Sequence, residues 1–390
     1  MKILYVYKGC SNQKYEQLFA NTSVMILQQG QKYHSLLLDG LKKNKAEIEC
    51  ISGLPINRNL TRKWRIPAEE QQVDGIRYHY FSTINFSVIR RLQLLMKSFF
   101  YTLTKSRDTV LICDVLDVSS AIGALAAARI KKLRAVGIVT DVPGHLSNSE
   151  ENPSLFERIR IGLLNKFDGY VFLTEEMNSV VNTKEKPYVV MEGHVDENMR
   201  NVENRLENKS EPRIMMYAGS LKRIYGIDRL TEAFSAANIQ GWELHIFGDG
   251  NFKEDLIDIC KMHPNVKYKG IKLNREIVEA ELRASLLVNP RPTDEDYVRY
   301  SFPSKNMEYM ASGTPIITTK LPGMPKEYFP YVYFFEDECV EGMTASLKKV
   351  MCLSKEELHE KGKMAKMFVL ENKSAVQQAA KIMELIDSVH

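Results

Sequence analysis

Glu308 lies within the stretch Asn289-Pro-Arg-Pro-Thr-Asp-Glu-Asp-Tyr-Val-Arg-Tyr-Ser-Phe-Pro-Ser-Lys-Asn-Met-Glu-Tyr-Met-Ala-Ser-Gly-Thr-Pro-Ile-Ile317, which combines two kinds of chemistry. It reads as a strand, a polar loop, a helix opened by Ser301 or Pro303 and closed by Gly313, and a second strand. A helix that opens at a strand-end loop presents free backbone N–H groups and the positive end of its dipole, which suits a phosphate. A carboxylate in the middle of that helix can accept two hydroxyl hydrogen bonds, as from a ribose. Lys305, three residues before Glu308, shares its helical face, so one side chain can meet phosphate while the other meets ribose. A cation in the first turn opposes the dipole at a cost of about 0.3–1 kcal/mol, and an anion held there accounts for it. The expected cradle is therefore Lys305 with the N–H groups after Phe302, together with Tyr300, Ser301 and Ser304. The competing reading is a solvated lysine paired with Asp294 or Glu295.

Other loops offer further candidates. Tyr217-Ala-Gly-Ser-Leu and Phe247-Gly-Asp-Gly250 each leave an apolar run through glycine. Gly219 and Gly248 fit either an ordinary turn or close approach of backbone to a ligand. Ser220, Lys222, Arg223 and Arg291 surround the same loops. In Thr140-Asp-Val-Pro-Gly-His145, which follows another apolar run, His145 can contact donor or acceptor and Asp141 can serve the acceptor side, or both can be merely solvated. Asp294, Glu295 and Asp296 look like a metal cluster but are explained as well by a polar surface loop, and no metal site is assigned. The six cysteines are scattered without a C-x-x-C pair, which fits neither zinc nor a disulfide framework and points to a reducing, cytoplasmic setting. A formal charge of +4 is too small a bias for a dedicated nucleic-acid binder. No G-x-G-x-x-G follows a strand, which disfavours an ordinary dehydrogenase.

The elements that must position these residues alternate. Short runs rich in β-branched and aromatic residues, at Ile3–Tyr7, Ile48–Ser52, Ile76–Phe81, Val110–Cys113, Ala135–Val139, Tyr170–Leu173 and Tyr188–Met191, are separated by stretches of helical period. A second series follows at Ile214–Tyr217, Leu244–Phe247, Val266–Tyr268, Leu286–Asn289 and Ile316–Thr318, with helices such as Ile227–Ala237 and Phe252–Met262 between. This predicts an α/β chain of two parallel-sheet domains, 1–195 and 213–372, joined by a polar linker at 196–212. A last helix, within 373–390, is expected to pack back on the first domain. In open sheets of this kind ligands bind beyond the carboxyl ends of the strands, so the expected site is a cleft between the two domains. No run reaches the eighteen or so apolar residues of a membrane span.

Glu308-Tyr-Met-Ala-Ser-Gly-Thr-Pro-Ile-Ile317 resembles the signature E-A-M-A-x-G-x-P-V-I of the retaining family-4 glycosyltransferases. Tyr217-Ala-Gly-Ser-Leu with Tyr225-Gly-Ile-Asp-Arg-Leu-Thr-Glu-Ala-Phe234, and Phe247-Gly-Asp-Gly250, resemble that family's first two strand ends in its donor domain. The likeness covers roughly residues 213–320. It implies a GT-B fold, two Rossmann-like domains facing a central cleft, and transfer of a sugar from a UDP- or GDP-sugar to a hydroxyl of a carbohydrate or lipid-linked saccharide acceptor, as in polysaccharide or glycolipid assembly. It implies retention, a diphosphate oxygen taking the acceptor proton, no metal and no cofactor. Asp141, His145 and Lys305 are the catalytic candidates, and of these Asp141 stands close to where relatives carry a histidine. Gly219, Ser220, Lys222, Arg223, Gly248, Arg291, Tyr300, Ser301, Phe302, Ser304, Lys305 and Glu308 would bind the nucleotide sugar. The pattern departs at three places: Tyr300 stands where the family has its other glutamate, and Ser220 and Tyr225 stand where it has Arg and Lys. The departures fit either a divergent branch that reads Ser301-Phe-Pro-Ser-Lys305 instead or a donor site that has decayed, and the nearby Lys222, Arg223, Arg291 and Lys305 favour the first. A GT-B epimerase and a non-catalytic sugar- or partner-binding relative are the alternative readings.

Between Gly75 and Arg107 there is no Asp or Glu, while Arg77, Arg90, Arg91, Lys97, Lys105 and Arg107 supply six cations. Ile89, Leu92, Met96, Phe99 and Leu103 form a stripe at helical spacing. Residues 86–107 are thus expected either to lie on an anionic membrane, peripheral to its inner face, or to turn the stripe into the domain core.

Overall fold

In the computed structural model, which describes residues 1–19, 28–56, 61–142 and 162–389, the β-branched runs become strands and the intervening stretches cover them. His145 lies outside the described residues. The chain divides into two compact units, Met1–His194 with Ser374–His390, and Val195–Lys373.

The first unit contains β1 (Lys2–Val6), β2 (Glu47–Ser52), β3 (Arg65–Ile66), β4 (Glu69–Val73), β5 (Ile76–Tyr80), β6 (Thr83–Ile84), β7 (Thr109–Asp114), β8 (Ala135–Val139), β9 (Gly169–Phe172) and β10 (Tyr188–Val190). Eight of these form one sheet in the order β10-β9-β8-β7-β1-β2-β5-β4, and β3 pairs with β6. Every pairing in the large sheet is parallel except β4 with β5. That hairpin turns through Asp74 and Gly75, both at positive φ, as a tight two-residue turn requires. Strands β1, β7 and β8 are buried on both faces, which is why they read as unbroken apolar runs. The Ala375–Ser388 helix belongs to this unit: Ala379, Ile382, Leu385 and Ile386 share one core with Ile3, Tyr5, Ile48 and Ile112.

The second unit contains β11 (Arg213–Ala218), β12 (Trp242–Phe247), β13 (Val266–Gly270), β14 (Leu286–Asn289), β15 (Ile316–Thr318) and β16 (Tyr333–Phe334), in the order β13-β12-β11-β14-β15-β16. All are parallel. This is the doubly wound order, with crossovers departing in opposite senses from β11 and β14.

The polar tract read as a linker, 196–212, is instead part of the second unit. Its few polar anchors explain this. Asn204 donates to Ser312 O at 3.0 Å and Thr314 Oγ1 at 2.8 Å, and Lys209 runs into the interior to donate to Leu282 O, Ala284 O and Thr314 Oγ1 at 3.0, 2.8 and 2.9 Å. Burial pulls the Lys209 ammonium down to a pKa of about 7. Lys209→Met leaves buried acceptors without their donor and is expected to cost about 3 kcal/mol, roughly 6–12 °C in the unfolding of this unit. Because the native amine binds fewer protons than the unfolded one above pH 7, wild-type stability gains with pH from about 7 towards the unfolded lysine value. The deficit of Lys209→Met should therefore be larger at pH 9 than at pH 6. Thermal unfolding at the two pH values checks both statements, and equal Tm at pH 9 would refute them.

Among the described residues no helix is long and apolar enough to cross a membrane. The Ser87–Leu103 helix meets the charge argument only in part. Arg90 donates to Ile56 O and Leu54 O, Lys97 to Ser82 O, and Lys105 and Arg77 pair with Glu49 at 2.6 and 3.9 Å, so at least four of the six cations are used within the unit.

Candidate functional site

The carboxyl ends of β11 and β14 lie side by side at the point where the strand order reverses, and the loops that leave them carry most of the residues singled out by sequence. The Ser304–Ser312 helix starts after Pro303 and ends at Gly313 in a left-handed cap. Its first turn stands beside the loop after β11. A Cβ on Gly219 would overlap the ammonium of Lys305, so only glycine lets that lysine reach the strand end. A Cβ on Gly248, at φ +132°, would overlap the carbonyl oxygen of Gly219. These two glycines permit close approach of one loop to the next.

Lys305 Nζ lies 4.0 Å from the centre of the Tyr217 ring. Burial pulls its pKa down to about 7, with Glu308 and Glu281 opposing and Arg291 pushing the same way. Lys305 keeps some solvent exposure, so its ammonium can be reached from outside. Arg291 packs 5.0 Å from the ring of Tyr297 and 5.8 Å from that of Tyr225, and donates to Ser301 Oγ at 3.0 Å. Its Nε is buried without a partner. Two cations thus stand close together at these strand ends, Arg291 near enough to act on the charge of Lys305.

Neutral groups hold the frame. Tyr309, 1 % exposed, accepts from Ala218 N–H at 2.8 Å and donates to Ala218 O at 3.2 Å, tying the helix to the end of β11. Asn289 donates to Asn306 Oδ1 at 2.6 Å, and Asn306 Nδ2 is buried with no partner. Tyr217 Oη donates to Ser220 O at 2.9 Å and shapes the loop. Sequence reasoning passed over Tyr217, Asn289, Asn306 and Tyr309. The one available signal was Tyr309, a bulky ring where the resembled signature has alanine.

The remaining candidates divide. Glu308 is half-buried on the same helix, and Ser304 and Ser220 are exposed. Tyr300 lies in the short turn Asp296–Tyr300. Phe302 differs from expectation: its ring is buried in the core, 5.2 Å from that of Tyr328, so any ligand contact there is left to the backbone. Arg223 pairs with Asp255 at 2.7 Å and packs on Phe252, turned onto the helix after β12. Lys222 is exposed. Asp294 faces Arg229 at 3.5 Å rather than Lys305. Among the described residues no three His, Cys, Asp or Glu side chains are grouped to hold a metal ion. Asp141 is half-buried just beyond β8 in the first unit.

Residues 198–366 match the model of the glycosyl transferases group 1 family. No curated protein sequence matches the chain significantly. Among solved structures, a TarM variant from S. aureus in complex with fondaparinux, alpha-GlcNAc-glycerol and UDP is 17% identical with a TM-score of 0.59, over 78% of this chain and 60% of that one. The chain thus spans less than two thirds of that structure. The lipopolysaccharide outer core galactosyltransferase WaaB, in its apo form, is 16% identical with a TM-score of 0.62, over 100% and 99% of the two chains. HepE from Anabaena in complex with UDP is 13% identical with a TM-score of 0.62, over the whole of both. The fold is that of the GT-B glycosyltransferases, two Rossmann-like parallel-sheet units, and within it the match to the group 1 family model covers residues 198–366.

Proposed function

We propose that this protein transfers a sugar from a nucleoside-diphosphate sugar to a hydroxyl of a saccharide or lipid-linked saccharide, with retention and without a metal. The observation that carries the reading is the convergence of Lys305 and Arg291 on the strand ends where Gly219 opens the backbone. Departure of the diphosphate builds negative charge on its oxygens, and prepositioned cations and N–H groups stabilise that charge more in the transition state than in the ground state. Lys305 and Arg291 then take over from the cations that the resembled family carries where this chain has Ser220 and Tyr225. Glu308, three residues on from Lys305, is the ribose anchor, and Asp141 is an acceptor-side group. Retention follows if a diphosphate oxygen takes the acceptor proton from the face it leaves, which needs no second carboxylate at Tyr300. The presence of UDP in the TarM and HepE structures supports a uridine donor.

A thermal-shift screen of UDP, GDP and other nucleoside diphosphates, followed by turnover of the matching sugars, tests the reading. No stabilisation by any of them, with no turnover, would reject it. Glu308→Ala is expected to remove two hydroxyl hydrogen bonds worth roughly 2–4 kcal/mol together and to weaken nucleotide binding by tens-fold or more. Calorimetric titration checks this, and unchanged affinity removes Glu308 from the site. Chelation by EDTA is expected to leave most turnover intact, because the cations are supplied by the protein. Loss of activity restored by magnesium or manganese would instead give Asp294 and Asp296 a metal.

A further inference from the structure

The Ser87–Leu103 helix is turned with its apolar side outward. Val88 is 75 % exposed and Leu92 58 %, with Ile89, Met96 and Phe100 also exposed along the same face. The opposite face, packed on the Val118–Lys131 helix, buries Ser98 and Thr102 completely, and neither hydroxyl has a partner. Hydrophobic burial alone would rotate this helix the other way, so the outward face calls for a covering. At the start of the helix the sequence Arg62-Lys63-Trp64-Arg65, every residue exposed, is held against it. Asn85 donates its backbone N–H to Trp64 O at 2.7 Å and its side chain to Lys63 O at 3.1 Å, and β3 pairs with β6 just before exposed Phe86. Arg65 and Lys97 are near enough to repel. No Asp or Glu occurs in 61–68 or in 75–107.

We infer that Trp64, Phe86 and the face Val88–Phe100, rimmed by Arg62, Lys63 and Arg65, dock on an anionic lipid bilayer. A bilayer answers each part of the surface. Its acyl region accepts a face with no hydrogen-bonding groups, its headgroup level suits tryptophan, and its charge complements a rim of one sign. A second copy of the chain would bring the same cations of two rims towards each other in a two-fold pairing. The surface differs from the one the sequence suggested, since Arg90, Lys97 and Lys105 are engaged inside the unit and the basic rim comes from 62–65 instead. The inference does not rest on sugar transfer.

The test uses the full chain with vesicles of phosphatidylcholine alone or mixed with phosphatidylglycerol. Sedimentation should occur only with the anionic vesicles and fade as salt is raised. Brominated lipid should quench Trp64 but not Trp242, which is 4 % exposed, so Trp64→Phe should abolish the quenching. Leu92→Glu with Met96→Glu should weaken binding at least ten-fold. Arg62→Gln, Lys63→Gln and Arg65→Gln should each weaken it about five-fold. All five positions are exposed, and an unchanged Tm verifies that the variants fold. Absent sedimentation, or sedimentation indifferent to both sets of variants, overturns the inference. Light scattering that shows a dimer broken by Leu92→Glu and Met96→Glu, with no vesicle binding, assigns the face to a second copy and overturns it equally.

Discussion

Lys305→Ala is expected to lower turnover at saturating donor by about 100- to 1,000-fold, roughly 2.7–4 kcal/mol of transition-state stabilisation. Binding of the free nucleoside should change far less, because the charge that Lys305 meets grows only as the sugar leaves. The proton on this lysine adds a second signature. In the unliganded protein burial and Arg291 hold its pKa near 7, against Glu308 and Glu281, so as pH rises through that value the free enzyme loses the cation. The donor dependence of kcat/KM should fall above pH 7, whereas kcat should hold further up, since a bound diphosphate raises the lysine pKa again. Lys305→Arg, which stays charged, should remove the alkaline fall. Wild-type turnover in Lys305→Ala, with activity lost in Arg291→Ala, would hand the clamp to Arg291 alone.

Gly248→Ala should be the most damaging one-methyl change in the second unit. The added Cβ overlaps the Gly219 carbonyl, and the backbone at φ +132° is one that L side chains rarely adopt. Neither conflict can be relieved by rotating a side chain. Gly248 N–H donates to Gly270 O at 2.9 Å and Tyr268 Oη donates to Gly248 O at 2.9 Å, so the loop is fixed on its other side as well. Relief comes only by moving the Gly219 loop away from Lys305. Nucleotide affinity should drop at least 100-fold and the unit should lose about 2–4 kcal/mol. Titration and thermal unfolding read these separately, and an unperturbed affinity would show that the Gly219 loop does not touch the donor.

The central strands were legible because burial on both faces leaves a run such as Val110–Cys113 no choice but apolar residues. Edge elements gave no such signal. Glu69–Val73 is a strand of Glu, Glu, Gln, Gln and Val at the sheet margin, where water takes the place of a packed face; the Asp74-Gly75 turn was the available clue. The helical period of 87–103 was visible, but period does not say which face is inside, and the burial of Ser98 and Thr102 runs against hydrophobicity. In the site, Glu308 and Lys305 stood out as charged residues in an apolar helix. Tyr309 and Asn306 did not, since their function lies in hydrogen bonds to residues distant in sequence. The tract around Lys209 reads as linker by composition because its anchoring comes from one buried amine rather than from apolar side chains.

The order of the chain through the two units bears on how the molecule is made. Strands β1 to β10 leave the ribosome first, yet their core lacks Ala379, Ile382, Leu385 and Ile386 until the Ala375–Ser388 helix has emerged. The segment 195–373 is contiguous, and its two ends are joined by a hydrogen bond from Val195 N–H to Lys373 O at 3.0 Å. During synthesis the second unit can therefore close while the first still exposes a groove along the Gln28–Lys43 helix, reversing the usual N-terminal-first sequence of folding. Truncation before residue 375 should leave 195–373 folded and the N-terminal strands dependent on chaperones.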